Sequence, residues 1–135
     1  MALSEIDEVL DLMHAWDHAW PIIELFGPTI QGEGAMAGVP TMFLRFGGCG
    51  YRCNWCDTMY AVDPHQVREN RTMMTCENIV AQINATEQAT KWMTFSGGDP
   101  CMQPHVGNLI RAIKVLTPCK KIAVEIGRAS CRERV

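Results

Sequence analysis

Hydrophobic positions along this chain follow a helical period in three segments. The first has Ser4 as its predicted N-cap, and its apolar residues recur three or four apart: Leu3, Ile6, Val9, Leu10, Met13, Trp16 and Trp20. A second helix is predicted from its N-cap Thr75 to about Glu87, and a third lies between Pro104 and Pro118.

Short runs between these helices have the composition of strands. Pro21 marks the end of the first helix, and the predicted strands are Ile22–Phe26, Thr41–Phe46, Lys91–Phe95 and Lys121–Glu125. Glycine-rich residues 27–38 predict a loop, and polar residues 63–71 predict a surface excursion. From Thr41 onward strands and helices alternate, which predicts an α/β fold with a parallel sheet and crossover helices. Ligands bind beyond the carboxyl ends of the strands in such sheets.

Composition narrows the class of protein. The chain has 135 residues, 47% hydrophobic and 20% charged, which is ordinary for one soluble globular domain. No apolar run reaches the ~20 residues of a membrane helix, and the acidic N-terminus is not a secretory signal. The net charge of -3 does not indicate the basic surface that nucleic-acid binding requires. We therefore expect a cytoplasmic protein that acts on a small molecule.

The cysteines carry the predicted chemistry. There are 7 in the chain, and a reducing compartment makes metal or redox chemistry a better expectation than disulfides. Cys49, Cys53 and Cys56 have the spacing C-x-x-x-C-x-x-C, and three clustered thiolates need a metal to offset their charge. A 4Fe-4S cluster held by three thiolates has one open iron. Structural zinc, with a fourth ligand from Cys76, Cys101 or a histidine, is the alternative, and buried apolar cysteines are a third.

Other motifs carry a family resemblance. With Trp55 before its last cysteine, the cysteine motif resembles that of the radical S-adenosylmethionine superfamily, and SGGDP at Ser96–Pro100 resembles its GGEP-type loop, with Asp99 replacing the commoner glutamate. FGPTIQGEG, FLRFGGC and CDT together resemble the 7-carboxy-7-deazaguanine synthases of that superfamily. The resemblance spans Pro21–Glu125 and implies a partial (β/α) barrel, preceded by a helical extension over residues 1–20.

The resemblance also implies a set of site residues. The 4Fe-4S cluster would be held by Cys49, Cys53 and Cys56, and S-adenosylmethionine would be contacted by Trp55, Cys56, Asp57 and Gly98. The pterin would be contacted by Ile30, Gln31, Gly32, Arg45 and Ser96. Mg²⁺ would be bound by Thr58. No catalytic residue is expected beyond the cofactor ligands. A guanidinium suits the pterin carboxylate, although an internal salt bridge from Arg45 to Glu33 is the alternative. For Thr58 the alternative is a turn or helix cap.

The implied reaction belongs to the biosynthesis of deazapurines such as queuosine. The reduced cluster would split S-adenosylmethionine, and the 5′-deoxyadenosyl radical would take a hydrogen from 6-carboxy-5,6,7,8-tetrahydropterin. Ring contraction with loss of ammonia would follow. The resemblance implies an electron donor such as flavodoxin or ferredoxin and a homodimer at full length. A glycyl-radical activase and a noncatalytic zinc-binding module are the alternative functions.

Two further segments are interpreted separately. Residues 126–135, IGRASCRERV, resemble a translated sequencing adapter, so we expect a non-native tail and a core that lacks its C-terminal part. Such a core would end in an unpaired strand edge, and we expect the chain to fold poorly or lack activity. His14 and His18 are four apart and could bind a metal, but the pattern favours a solvated helix face.

Overall fold

The computed structural model describes residues 2–32, 34–49, 58–87 and 90–125. The helices are α1 (Leu3–Trp16), α2 (Pro64–Asn70), α3 (Cys76–Asn84) and α4 (Val106–Leu116), and the strands are β1 (Ala19–Ile30), β2 (Pro40–Phe46), β3 (Thr72–Thr75), β4 (Trp92–Gly97) and β5 (Lys121–Val124). Short 3₁₀ turns occupy Gly34–Met36, Met59–Ala61 and Pro100–Met102. No helix in these ranges has the length and apolar character to cross a membrane.

The described strands form one open sheet in the order β3-β1-β2-β4-β5. β2, β4 and β5 run parallel, which confirms the α/β prediction for the part of the chain after Thr41. β1 precedes Thr41 and runs antiparallel to both of its neighbours, so the complete sheet is mixed. β1 and β2 are consecutive and antiparallel, so the chain between them needs no crossover helix.

β1 is longer than its apolar run predicted. The prediction of a strand over Ile22–Phe26 is too short, because the strand continues through Pro21 on one side and to Ile30 on the other. The Pro21 carbonyl accepts a hydrogen bond from the Gly47 amide at 2.9 Å, so proline takes part in the sheet as an acceptor. Trp20 was predicted in the helical stripe but lies in β1, fully buried.

The polar stretch 63–71 lies mostly at the surface, as predicted, but it is helical rather than a plain loop. It contains α2, whose N-cap Asp63 accepts from the Gln66 amide at 3.1 Å and whose first residue is Pro64. β3 follows at once and pairs with the start of β1. Both elements are short and mostly exposed, and they lack the apolar periodicity that predicts longer elements.

The hydrophobic core lies between one face of the sheet and helices α3 and α4. Its members alternate along the strands and recur at helical spacing: Trp20, Ile22, Met42, Leu44, Phe46, Ile79, Ile83, Met93, Phe95, Leu109 and Ile113. The predicted cap at Thr75 is confirmed as a capping box with Asn78, although α3 ends at Asn84 rather than Glu87. α1 begins at Leu3, so Ser4 lies inside the helix rather than capping it.

Candidate cofactor and substrate site

The ends of β2 and β4 bring the two predicted cofactor loops together. Phe46 and Gly97 are register partners at the carboxyl ends of these strands. Beyond them the Gly98 amide donates to the Phe46 carbonyl at 3.3 Å, and the Asp99 amide donates to the Gly48 carbonyl at 2.8 Å. The cysteine loop and the SGGDP loop therefore begin on the same side of the sheet, as the strand order predicted.

Gly98 is confined by backbone on two sides. A Cβ there would overlap the Gly48 carbonyl and lie 2.8 Å from the carbonyl oxygen of Ala61. The missing side chain thus allows the glycine loop, the cysteine loop and the following 3₁₀ turn to pack together. This packing role is independent of the contact with S-adenosylmethionine, which remains a prediction.

Only part of the predicted cluster motif is described. Cys49 follows β2 directly and is partly exposed, whereas Cys53, Trp55, Cys56 and Asp57 lie outside the described residues. Thiolates are the usual ligands of iron–sulfur clusters, so the donor chemistry of the motif fits a 4Fe-4S cluster. Among the described residues no three His, Cys, Asp or Glu side chains gather into a metal site.

The remaining described cysteines behave as packing residues or lie at the surface. Cys76 and Cys119 are buried in the core, and burial raises the pKa of the Cys76 thiol to about 11. Burial also raises the pKa of Cys119. These environments disfavour the thiolate form that zinc binding requires. Cys101 is exposed, and its pKa is raised by burial and by the nearby Asp99.

Thr58 is the first described residue after the motif. It precedes the Met59–Ala61 turn and makes no side-chain cap hydrogen bond to it, while its carbonyl accepts from the Ala61 amide at 2.8 Å. Thr58 therefore stands at the N-cap position of a turn, as the alternative predicted, although its hydroxyl makes no cap hydrogen bond. Its role as an Mg²⁺ ligand remains a prediction.

Two of the predicted pterin contacts meet on one carboxylate. Gln31 Nε2 donates to Glu125 Oε1 at 2.9 Å, and Ser96 Oγ donates to Glu125 Oε2 at 2.8 Å. Gln31 and Ser96 are 4% and 6% exposed, so these bonds are sheltered from water. They tie the loop after β1 to the ends of β4 and β5. Ile30 and Gly32, which flank Gln31, are exposed.

Arg45 lies beside this group. Ser96 is its register partner on β4, which places both side chains on the sheet face opposite the core. Arg45 Nε donates to Glu24 Oε2 at 3.0 Å, and the guanidinium carbon lies 5.6 Å from the centre of the Tyr60 ring. The internal salt bridge foreseen for Arg45 thus exists, but Glu24 is the partner, and Glu33 lies outside the described residues.

Sequence reasoning missed the functional candidates Glu125, Glu24 and Tyr60. Glu125 had a usable signal, since it is a charged residue at the carboxyl end of a predicted buried strand. Glu24 and Tyr60 had none, because their position beside Arg45 depends on strand register and on the path of a loop.

Comparisons with known proteins agree with this geometry. Residues 30–129 match a family described as 4Fe-4S single cluster domain. The chain belongs to this family. This chain is also 40% identical over 95 residues to the 7-carboxy-7-deazaguanine synthase of Bacillus subtilis (strain 168), a match that covers 70% of this chain and 39% of the relative.

Further relatives carry the same name. The 7-carboxy-7-deazaguanine synthase of Neisseria meningitidis serogroup B is 33% identical over 93 residues, covering 69% of this chain and 39% of the relative. The crystal structure of QueE from Escherichia coli matches with a TM-score of 0.70 and 25% identity, over 85% of this chain and 55% of that one. The resemblance drawn from the motifs is confirmed. The chain spans well under two thirds of the length of these relatives.

Proposed function

We propose that this 4Fe-4S single cluster domain forms part of a radical S-adenosylmethionine lyase. The substrate would be 6-carboxy-5,6,7,8-tetrahydropterin and the products 7-carboxy-7-deazaguanine and ammonia. One observation carries the proposal: Cys49 leaves the sheet beside the glycine loop, and Arg45, Ser96, Gln31 and Glu125 form a polar group next to that edge. The similarity to proteins named 7-carboxy-7-deazaguanine synthase supports it.

The cofactor side of the site would be built by two loops. Cys49, Cys53 and Cys56 would hold the cluster, which together with S-adenosylmethionine supplies one-electron chemistry when bound. Trp55, Cys56, Asp57 and Gly98 would contact S-adenosylmethionine, and Thr58 would contribute a hydroxyl oxygen to Mg²⁺, which prefers oxygen ligands. The hydrogen bond between Asp99 and Gly48 fixes the two loops relative to each other.

The substrate side would be built by the polar face of the sheet. Arg45 would bind the pterin carboxylate, since a guanidinium matches a carboxylate with paired N–H groups. Glu125 would accept hydrogen bonds from N–H groups of the aminopyrimidinone ring, and Gln31 and Ser96 keep its two oxygens in place. The backbone of Ile30 and Gly32 would complete the contact.

Partners and location extend the proposal. An electron donor such as flavodoxin or ferredoxin would reduce the cluster, and the full-length protein would form a homodimer in the cytoplasm. The thiol-rich sequence supports a reducing compartment.

The test is anaerobic reconstitution of the chain with iron and sulfide. We expect about four iron and four acid-labile sulfide per chain, with brown absorbance that is lost in Cys49→Ala and kept in Cys101→Ala, the control at an exposed cysteine outside the motif. The reconstituted chain should also bind 6-carboxypterin more tightly than pterin, which lacks the carboxylate. Zinc without sulfide, or equal affinity for the two pterins, would contradict the proposal.

A further inference from the structure

We propose that Glu24 is a positioning residue that holds the Arg45 guanidinium ready for an anionic group of the substrate. A β-bulge in β1 places Glu24 there. This inference rests on the proposed function, because it takes the pterin carboxylate as the group that Arg45 meets.

The register between β1 and β2 shows the bulge. Ile22 pairs with Phe46, and the next pair is Glu24 with Arg45, so β1 advances two residues while β2 advances one. In a regular strand Glu24 would share a face with Ile22, which is 2% exposed in the core. The extra residue Ile23 moves Glu24 to the opposite face, where Arg45 lies. Bulges recur next to active sites because they redirect a side chain in this way.

The contact itself leaves the anion-binding end of Arg45 accessible. Glu24 accepts from Nε, the nitrogen on the side of the guanidinium, at 3.0 Å. Within the described ranges no hydrogen bond involves the two Nη nitrogens, which form the fork that binds a carboxylate with two parallel bonds. The Arg45 side chain as a whole is 16% exposed, so it is mostly sheltered but not sealed from solvent.

Tyr60 restrains the same guanidinium from a second direction. Its ring centre lies 5.6 Å from the Arg45 Cζ, within the range of a cation–π contact. A carboxylate at Nε and an aromatic ring nearby together limit rotation of a side chain that is otherwise long and mobile. Binding then costs less conformational entropy, because Arg45 is already ordered.

The charge of Glu24 and its hydrogen bond to Arg45 have opposite effects on anion binding, which makes the proposal testable. The negative charge of Glu24 weakens the attraction between Arg45 and an anion, whereas its hydrogen bond orders the guanidinium. Glu24→Gln removes the charge and keeps an oxygen acceptor for Nε. Glu24→Ala removes both. A positioning role therefore predicts that alanine weakens anion binding and glutamine does not.

The experiment measures dissociation constants for 6-carboxypterin and pterin by pterin fluorescence. It uses the anaerobically reconstituted chain with S-adenosylmethionine present. We expect Glu24→Ala to weaken 6-carboxypterin binding by up to about tenfold, the effect of freeing one long side chain, with pterin affinity unchanged. Glu24→Gln should stay within about twofold of the parent chain by the same reasoning. Glu69→Ala, which removes an exposed carboxylate on α2, is the charge control and should change neither constant.

Every other outcome of this experiment contradicts either the positioning role of Glu24 or the proposed function. Unchanged 6-carboxypterin affinity in Glu24→Ala refutes the inference, and so does an equal loss for both pterins, which would mark a structural role. A loss in glutamine as large as in alanine would show that an oxygen acceptor at this position does not hold the guanidinium, and it would refute the inference. If the parent chain itself does not prefer 6-carboxypterin, the proposed function fails together with the inference. Glu24→Ser gives a second truncation should the alanine variant not fold.

Discussion

The two faces of the central sheet bury different kinds of side chain, apolar on one face and polar on the other. On the helix-covered face, neighbouring strands contribute Leu44, Phe46, Met93 and Phe95, which are fully buried apolar side chains. Burying such groups stabilises the fold by about 1.5–3 kcal/mol each. On this face the side chains must be apolar and fill the available volume, so one apolar residue can replace another of similar size.

The other face buries polar groups instead. Thr41, Thr94 and Ser96 are almost fully buried, and Thr41 and Thr94 share a hydrogen bond of 3.0 Å. Throughout the described ranges every buried polar side-chain atom has a hydrogen-bond partner. Such groups contribute little net stability, because their bonds replace bonds to water. Under the proposed function, this face would bind the substrate, whereas the apolar face stabilises the fold.

Adjacent residues on β4 offer the sharpest way to separate the two faces. Phe95→Ala removes a fully buried ring from the core and should lower the free energy of unfolding by about 3–5 kcal/mol. Ser96→Ala removes one hydrogen bond to Glu125 and should cost about 1 kcal/mol. Urea unfolding of both variants measures the difference.

Ligand binding should reverse the order of these two variants. Ser96→Ala should weaken 6-carboxypterin binding because Glu125 loses one of its two restraints, whereas any Phe95→Ala chain that remains folded should bind normally. Equal destabilisation by the two substitutions would mean that the faces do not differ as described.

The contact between the two cofactor loops should be the next most sensitive feature. Gly98→Ala forces a methyl group against backbone of Gly48 and Ala61, and overpacking of this kind costs about 1–3 kcal/mol. Gly107→Ala is the matched control, because a Cβ there meets no other atom within 4 Å. We expect Gly98→Ala to lower both stability and the iron content after reconstitution, and Gly107→Ala to leave both intact. Full iron loading of Gly98→Ala would show that the loops can separate without consequence.

Sequence reasoning succeeded where a residue's placement depends on its position along a strand. Thr41–Phe46 and the run before SGGDP had clear strand character, and the parallel pairing of β2 and β4 brings Arg45 beside Ser96. The family motifs pointed to Gln31 and Ser96 separately. Their meeting on Glu125 required the path of the loop after β1, which no periodicity encodes.

Failures occurred where the pattern is broken or weak. Alternation along β1 would place Glu24 in the core, and only the observed register reveals the bulge that moves it out. Trp20 fitted a helical stripe because tryptophan at a four-residue spacing suits a helix or a buried strand equally. β3 has 4 residues, of which none is fully buried, so its sequence carries almost no signal.

The smallest expected effect concerns a histidine pair beside the buried Trp20. His18 and His105 have ring centres 5.0 Å apart, and the pKa of His18 is lowered from 6.5 by burial and by His105. Below pH 6.5 the unfolded chain therefore binds this proton more readily than the folded chain. The contribution of neutral His18 to the free energy of unfolding should be fully present above about pH 7.5. It should be lost as pH falls through 6.5 toward the lower pKa of the folded state.

His105→Asn isolates this effect. His105 has φ of 60°, a left-handed conformation that asparagine tolerates, so the substitution removes the imidazole ring without new backbone strain. Melting temperatures between pH 5 and 7.5 should fall less steeply in His105→Asn than in the parent chain, while His65→Asn, at the exposed pair with Glu69, should alter the slope less. Because His18 is only partly shielded from water, the difference should stay below about 1 kcal/mol, the range of exposed charge interactions. Identical slopes in the parent and His105→Asn chains would show that His105 does not lower the pKa of His18.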